Sequence, residues 1–206
     1  MLMQVPVRNT VRGLAVAAAL SISVSLAADR ALTKQDAARF QAKLAQIVQH
    51  GNVTRSPRAS HTTEVTDIEV NAYLKYAAGD QVPVGIVEPA LSALGNGRVA
   101  GRAIVDLDAV RKQKKRGWSD PLGYLTGRLP VTAAGTLTTG NGIGKFQLES
   151  AEISGVTIPK ALLQELLSYY SKSAQNPSGI NMDDPFELPA GIREIKVGQG
   201  SATIVQ

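Results

Sequence analysis

Few side chains in this sequence have the type and spacing to do chemistry. Asp106 and Asp108 flank Leu107, and Asp183-Asp184 precede Pro185. Paired carboxylates hold calcium when a loop brings further oxygen ligands around them, and neither pair sits in an EF-hand-type loop. His61 and Glu64 are close enough to share an edge, but no second histidine stands beside them and the zinc reading fails. The absence of cysteine removes disulfides, a thiol nucleophile, Cys-ligated zinc and iron–sulfur centres. No Gly-x-Ser-x-Gly elbow, His-Glu-x-x-His helix or P-loop is present. Gly95-Asn96-Gly97 joins two antiparallel strands, whereas a phosphate loop leads into a helix. Glycosidase chemistry needs two carboxylates about 5–10 Å apart, which 17 acidic residues neither show nor forbid. No catalytic residue, metal or cofactor is therefore expected, and a hydrolase stands only as a third reading.

The strongest local feature is basic. Arg111, Lys112, Lys114, Lys115 and Arg116 stand beside Trp118, the one tryptophan. Near an anionic bilayer each such cation contributes about 1 kcal/mol, and tryptophan favours the interface. Leu122, Tyr124 and Leu125 would add apolar contact. Two readings are open: a membrane-docking loop, or a solvated loop with Trp118 folded onto the core.

These features sit on a chain of 206 residues, 44% hydrophobic and 19% charged, enough to bury a core in one domain or two small ones. At the N-terminus, Arg8 and Arg12 precede an uncharged apolar run, Leu14 to Leu26, followed by small residues. This pattern predicts a secretory signal over 1–27, cleaved after Ala27. The alternative is a retained anchor, although the run is short for a hydrocarbon core ~30 Å thick. Without Arg8 and Arg12, the 20 basic and 17 acidic residues left give a charge of +3. So small a surplus on an exported protein, with 4% aromatics, argues against a nucleic-acid partner.

Residues 28–58 are expected to form an N-terminal helix and a linker. Thr33 can cap a helix over 33–49, with Phe40, Leu44, Ile47 and Val48 on one stripe. A single α+β domain is expected over 59–206. A short strand at 59–65 precedes a capping box, Thr66 to Glu69, and a helix over 67–78. The period then changes to two. A strand over 84–94 is interrupted at Pro89, which implies an edge or a bulge. Asn96-Gly97 turns it into a strand over 99–107. A second hairpin runs over 129–137 and 143–153, turning at Gly140-Asn141-Gly142, and its alternation slips around Ser150 as at a bulge. Pro159 opens a helix with a wide leucine face, and a third hairpin turns at Gly198-Gln199-Gly200.

Three hairpins thus predict one antiparallel sheet of about six strands, covered by amphipathic helices. Strand residues Gly101, Gly127, Gly135 and Gly155 would permit strong curling. A curled sheet around an apolar helix encloses an elongated apolar interior. The side chains expected to line it are Val105, Leu107, Leu129, Val131, Leu137, Phe146, Leu148, Ile158, Leu162, Leu163, Leu166, Leu167 and Tyr170.

The order of motifs resembles the DUF2993, LmeA-like family of exported bacterial proteins. The resemblance rests on Val65-Thr66-Asp67-Ile68-Glu69-Val70-Asn71-Ala72-Tyr73-Leu74, on Gly97-Arg98-Val99 leading to Val105-Asp106-Leu107, and on Gly127-Arg128-Leu129-Pro130-Val131 with Gly135-Thr136-Leu137. Gly155-Val156-Thr157-Ile158-Pro159 and Leu188-Pro189-Ala190-Gly191-Ile192 complete it, and the pattern covers 60–206. The resemblance implies a tubular lipid-binding fold and a phospholipid partner in the cell envelope, with no catalytic residues. The expectation is a periplasmic, non-catalytic lipid-binding or lipid-handling protein. It would take a lipid or another apolar small molecule, and touch anionic membrane at its periphery. The alternative is a structural or interaction module of the envelope with a solid core and no ligand.

Overall fold

A computed structural model describes residues 31–52, 60–113, 126–173 and 176–206. Its first element is a helix, α1 (Lys34–Asn52). The Thr33 hydroxyl accepts from the Asp36 backbone N–H, while the Asp36 carboxylate accepts from both the Thr33 N–H and hydroxyl. This reciprocal cap uses aspartate where a capping box usually has glutamate. Of the predicted stripe, Ile47 is buried, Phe40 and Leu44 are half-buried, and Val48 faces solvent.

Strand β1 (Thr62–Thr66) runs directly into α2 (Asp67–Tyr76), and the predicted capping box between Thr66 and Glu69 is present on both sides. The two helices pack together through the tilted rings of Phe40 and Tyr73, 5.2 Å apart. A 3-10 turn (Gly79–Gln81) leads onward.

The large sheet has the order β2 (Ile86–Gly95), β3 (Arg98–Asp106), β4 (Arg128–Gly140), β5 (Ile143–Ile153), β6 (Val156–Thr157), all antiparallel, and β7 (Phe186–Glu187) pairs with the start of β5. Both long hairpins close on Asn-Gly turns with positive φ at each residue, 53° and 79° at Asn96-Gly97 and 52° and 81° at Asn141-Gly142. That geometry matches the twist of the flanking strands. The slip in β5 is a bulge: Ser150 pairs with Ala134 and Leu148 with Gly135, leaving Glu149 over. Pro89 is explained twice, since β2 is the edge strand and its register shifts between Val87 and Ala90.

The three hairpins do not form one sheet. The third, β8 (Glu194–Val197) with β9 (Ser201–Val205), joins β1 in a separate sheet of order β1-β9-β8. The edges of the large sheet are partly covered. Along β2, Asn71 of α2 exchanges two hydrogen bonds with Leu91 and the Asp67 carboxylate accepts from the Ala93 N–H, while β6 and β7 pair with the two ends of β5. The turn of the third hairpin meets only the end of β2, where Leu94 bridges to Gln199 and the Gly200 N–H donates to the Ala93 carbonyl. β8 instead meets the hairpin tips. Gly97 N–H donates to the Val197 carbonyl, Gly142 N–H to the Arg193 carbonyl, and the Thr139 hydroxyl bonds the backbone of Ile195.

The large sheet is open, not strongly curled around a helix. The strand glycines serve other ends. Phe146 lies over Gly135 and Leu91 over Gly101, so side chains fill those gaps, while Gly127 and Gly155 take left-handed conformations at strand ends. Of two further helices, the sequence reading located one and missed the other. Leu107 belongs to no strand but opens α3 (Leu107–Gln113), whose first turn is capped by the Asp106 carboxylate accepting from the Ala109 N–H. α4 (Lys160–Ser171) starts behind Pro159 as expected and lies across the face of the large sheet.

The tightest packing is elsewhere. Ile47, Leu188 and Ile192 are buried together, with Ala190, Ile195 and Ile204 against them. There the buried Gln206 side chain donates to the carbonyls of Ile47 and Ala190.

Candidate apolar ligand groove

The face of the large sheet under α4 is built by cross-strand pairs. Strand alternation puts Gly101, Ala103 and Val105 of β3 on one side. The ladder sets Gly101 against Leu91 and Ala133, Ala103 against Val131, and Val105 against Ile86 and Leu129. On β5, Ala151 pairs with Ala133 and Ile153 with Val131. The result is a lattice of aliphatic side chains, small at its centre and larger at its margin. Leu163, Leu166 and Leu167 of α4 form the opposite wall, with Ile158 before the helix and Leu107 at the end away from the hairpin tips.

The walls do not close on each other. Between them lies an apolar groove of about 560 Å³, within the range of small-molecule sites. Ala103, Val105, Leu129, Val131, Ala133 and Ile153 are accordingly only half-buried, while Leu107, Ala151 and Leu166 are buried. The small central residues create the space, because Gly101, Ala103, Ala133 and Ala151 stand where larger side chains would reach α4.

α4 is held over the groove along one flank. Gln164 donates to the Ile180 carbonyl and accepts from the Met182 N–H, Ser168 donates to the same carbonyl, Ser171 accepts from the Ile180 N–H, and Lys160 pairs with Asp183. The segment around 180–183 therefore braces the helix at a fixed height, so that its leucines need not descend onto the sheet.

Eight of the side chains expected to line an enclosed interior border this open groove instead: Val105, Leu107, Leu129, Val131, Ile158, Leu163, Leu166 and Leu167. Leu137 and Leu148 share that sheet face by register but lie beyond the groove, towards the hairpin tips. Phe146 folds onto Gly135 and borders a separate cavity with Leu167 and Phe186. Leu162, one turn before Leu166, is 43% exposed and outside the groove lining. The Tyr170 side chain lies outside the described residues. The alternation that singled out Val105 and Val131 also holds Ala103 and Ala133. Sequence reasoning passed over these alanines, with Ala151, Ile153, Leu91 and Ile86, by searching for bulk where the site needed its absence.

Of the basic run, Arg111 and Lys112 are in the last turn of α3, with Arg111 3.7 Å from Asp108 and Lys112 exposed. Lys114, Lys115, Arg116 and Trp118 lie outside the described residues.

Several carboxylates are engaged elsewhere, while Glu152 is part of the groove lining. Asp106 receives the Ala109 N–H and pairs with Arg128, which together hold its carboxyl below the usual range. Glu149 is lowered by the Thr136 hydroxyl and by Arg98. Asp183 pairs with Lys160, and Asp184 accepts from Asn181. His61 stacks on His50, ring centres 3.8 Å apart, and no cluster of three metal-ligating side chains occurs among the described residues. Apart from Arg102, Thr132 and Glu152, the lining of the groove is apolar, which suits it to apolar matter.

No family model and no curated protein matches the chain. A crystal structure of lipopolysaccharide binding protein is similar over 75% of this chain at 14% identity with a TM-score of 0.22, and the chain spans about 45% of the length of that structure. A likeness of that size carries no argument about fold or ligand.

Proposed function

We propose that this chain is an exported, non-catalytic lipid-handling protein that holds an acyl chain between the large sheet and α4. The observation that carries the reading is the unfilled apolar groove, walled by Val105, Leu129, Val131 and Ile153 below and Leu163, Leu166 and Leu167 above. Acyl binding there would be driven by removal of apolar area from water, at about 25 cal/mol per Å². The chain from α3 into 114–118 would bring the protein to an anionic bilayer, and the signal-like N-terminus would deliver it to the envelope. The DUF2993-like motif order fits the same role.

The test is uptake of a fluorescent fatty acid by the purified protein, paired with native mass spectrometry of what it carries after expression. Saturable uptake, abolished by Ala133→Trp in a variant that keeps its circular dichroism, is the expected result. A protein that carries no lipid and takes up no probe would instead be an envelope module without a ligand.

A further inference from the structure

We infer that the occupant is a single-chain amphiphile with an anionic head, the head seated in a cleft at the bulge of β2. The inference rests on the acyl-chain reading above and adds the ligand's chemistry to it.

The groove favours a single chain. Its volume of about 560 Å³ is that of a small-molecule site, and the leucines of α4 face the sheet across one strip of small residues, Gly101, Ala103, Ala133 and Ala151.

A polar compartment adjoins the groove. A cleft of about 680 Å³ lies between α2 and the start of β2, and it shares Ile86, Pro89, Ala90 and Arg102 with the groove. The shared residues are those of the bulge. There the ladder skips between Val87 and Ala90, Glu88 takes a left-handed φ of 50°, and Pro89 offers no N–H to pair. A non-glycine residue in that conformation, directly before proline, is strained. The edge clamp from Asn71 begins only at Leu91. The edge is thus open at the one place where an amphiphile must pass from apolar to polar surroundings.

Charge decides the head. Among the described residues, the cleft carries Lys75 and Arg102 against one carboxylate, Glu88. All three side chains are exposed, and neither cation is in an ion pair among the described residues, although the Lys75 ammonium sits 5.2 Å from the Tyr76 ring. The net positive cleft complements a carboxylate or phosphate head and disfavours a cationic one.

Competition against a bound fluorescent fatty acid tests this with palmitate, palmitoyl lysophosphatidate, monopalmitoylglycerol and dipalmitoyl phosphatidate. Both anionic single-chain probes should bind about tenfold or more tightly than the neutral one, as expected for charge-assisted hydrogen bonds. The diacyl probe should bind more weakly than its single-chain counterpart. In Lys75→Glu/Arg102→Glu the ratio of anionic to neutral affinity should fall to near one. Preference for lysophosphatidate over palmitate would assign a phosphate head, and the reverse a free fatty acid. Equal affinity for neutral and anionic probes, or a ratio unmoved in the variant, overturns the head site while leaving the groove standing. Tighter binding of the diacyl probe overturns the single-chain limit, and binding of none of the four overturns groove and head site together.

Discussion

Lys43 of α1 lays its ammonium group 2.7 and 2.8 Å from the two carboxylate oxygens of Glu69, the residue that also closes the cap of α2. The contact joins two helices 26 residues apart in sequence and is largely shielded from solvent.

The pH dependence of stability follows from this pair. Burial by itself raises the Glu69 pKa, but the bonds from Lys43 and from the Thr66 backbone outweigh it and leave the carboxyl below its usual 4.5. A carboxyl lowered on folding stabilises the native state above its unfolded pKa, and that stability is lost as pH falls through the folded value. Denaturant midpoints should therefore hold from neutral pH to about 5 and drop in the acid range below it. Lys43→Met should cost roughly 1–3 kcal/mol at pH 7 and flatten the acid limb. An acid limb as steep as that of the parent protein would refute the assignment.

The elements that sequence alone located are those written locally. Thr66 and Glu69, Asn96-Gly97, Pro159 and the slip near Ser150 each carry their signal within a few residues. What was hidden is long-range. Nothing in Thr62–Thr66 announces that its partner is Ser201–Val205, so the third hairpin was assigned to the wrong sheet. Leu107 continues the alternation of Val105, and only the cap from Asp106 diverts it into a helix. The height of α4 above the sheet is set by Gln164, Ser168 and Lys160 bonding a segment 12 to 23 residues on, a distance that no periodicity encodes. The leucine face was therefore legible and the hollow beneath it was not.

Gly135 separates glycines that the structure requires from those it tolerates. A Cβ there would collide with the Gln147 carbonyl oxygen and come within 2.5 Å of the Phe146 ring. Gly135→Ala should destabilise by about 1–3 kcal/mol, as overpacking does. Gly140 has nothing within 4 Å of an added Cβ and no positive φ, so Gly140→Ala should be neutral or stabilising by up to ~1 kcal/mol. Thermal melts of the two variants compare them directly, and equal shifts would show that Phe146 does not occupy the Gly135 gap.

Asn71 holds the one stretch of β2 edge that could template another chain. Its amide donates to the Leu91 carbonyl and accepts from the Leu91 N–H, and Asp67 takes the next outward N–H, at Ala93. Asn71→Ala should cost about 0.5–1.5 kcal/mol and, with the edge bared, promote self-association. Light scattering on gentle heating reads the second effect. A variant that loses stability without associating would show that Asn71 braces α2 and does not guard the edge.

Two leucines one turn apart on α4 separate the wall of the groove from its exposed margin. Leu166 is 8% exposed and faces the sheet, whereas Leu162 is 43% exposed. Leu166→Ala removes side-chain volume from a wall that already borders empty space, so its cost should fall near the lower end of the usual 2–5 kcal/mol for such truncations. The enlarged groove should then take up a longer acyl probe better than the parent does. Leu162→Ala should change stability by no more than ~0.5 kcal/mol and leave the chain-length preference alone. Urea denaturation and a fatty-acid length series on both variants decide the matter. If Leu162 rather than Leu166 governs chain length, the ligand lies against the first turn of α4, beyond the groove described above.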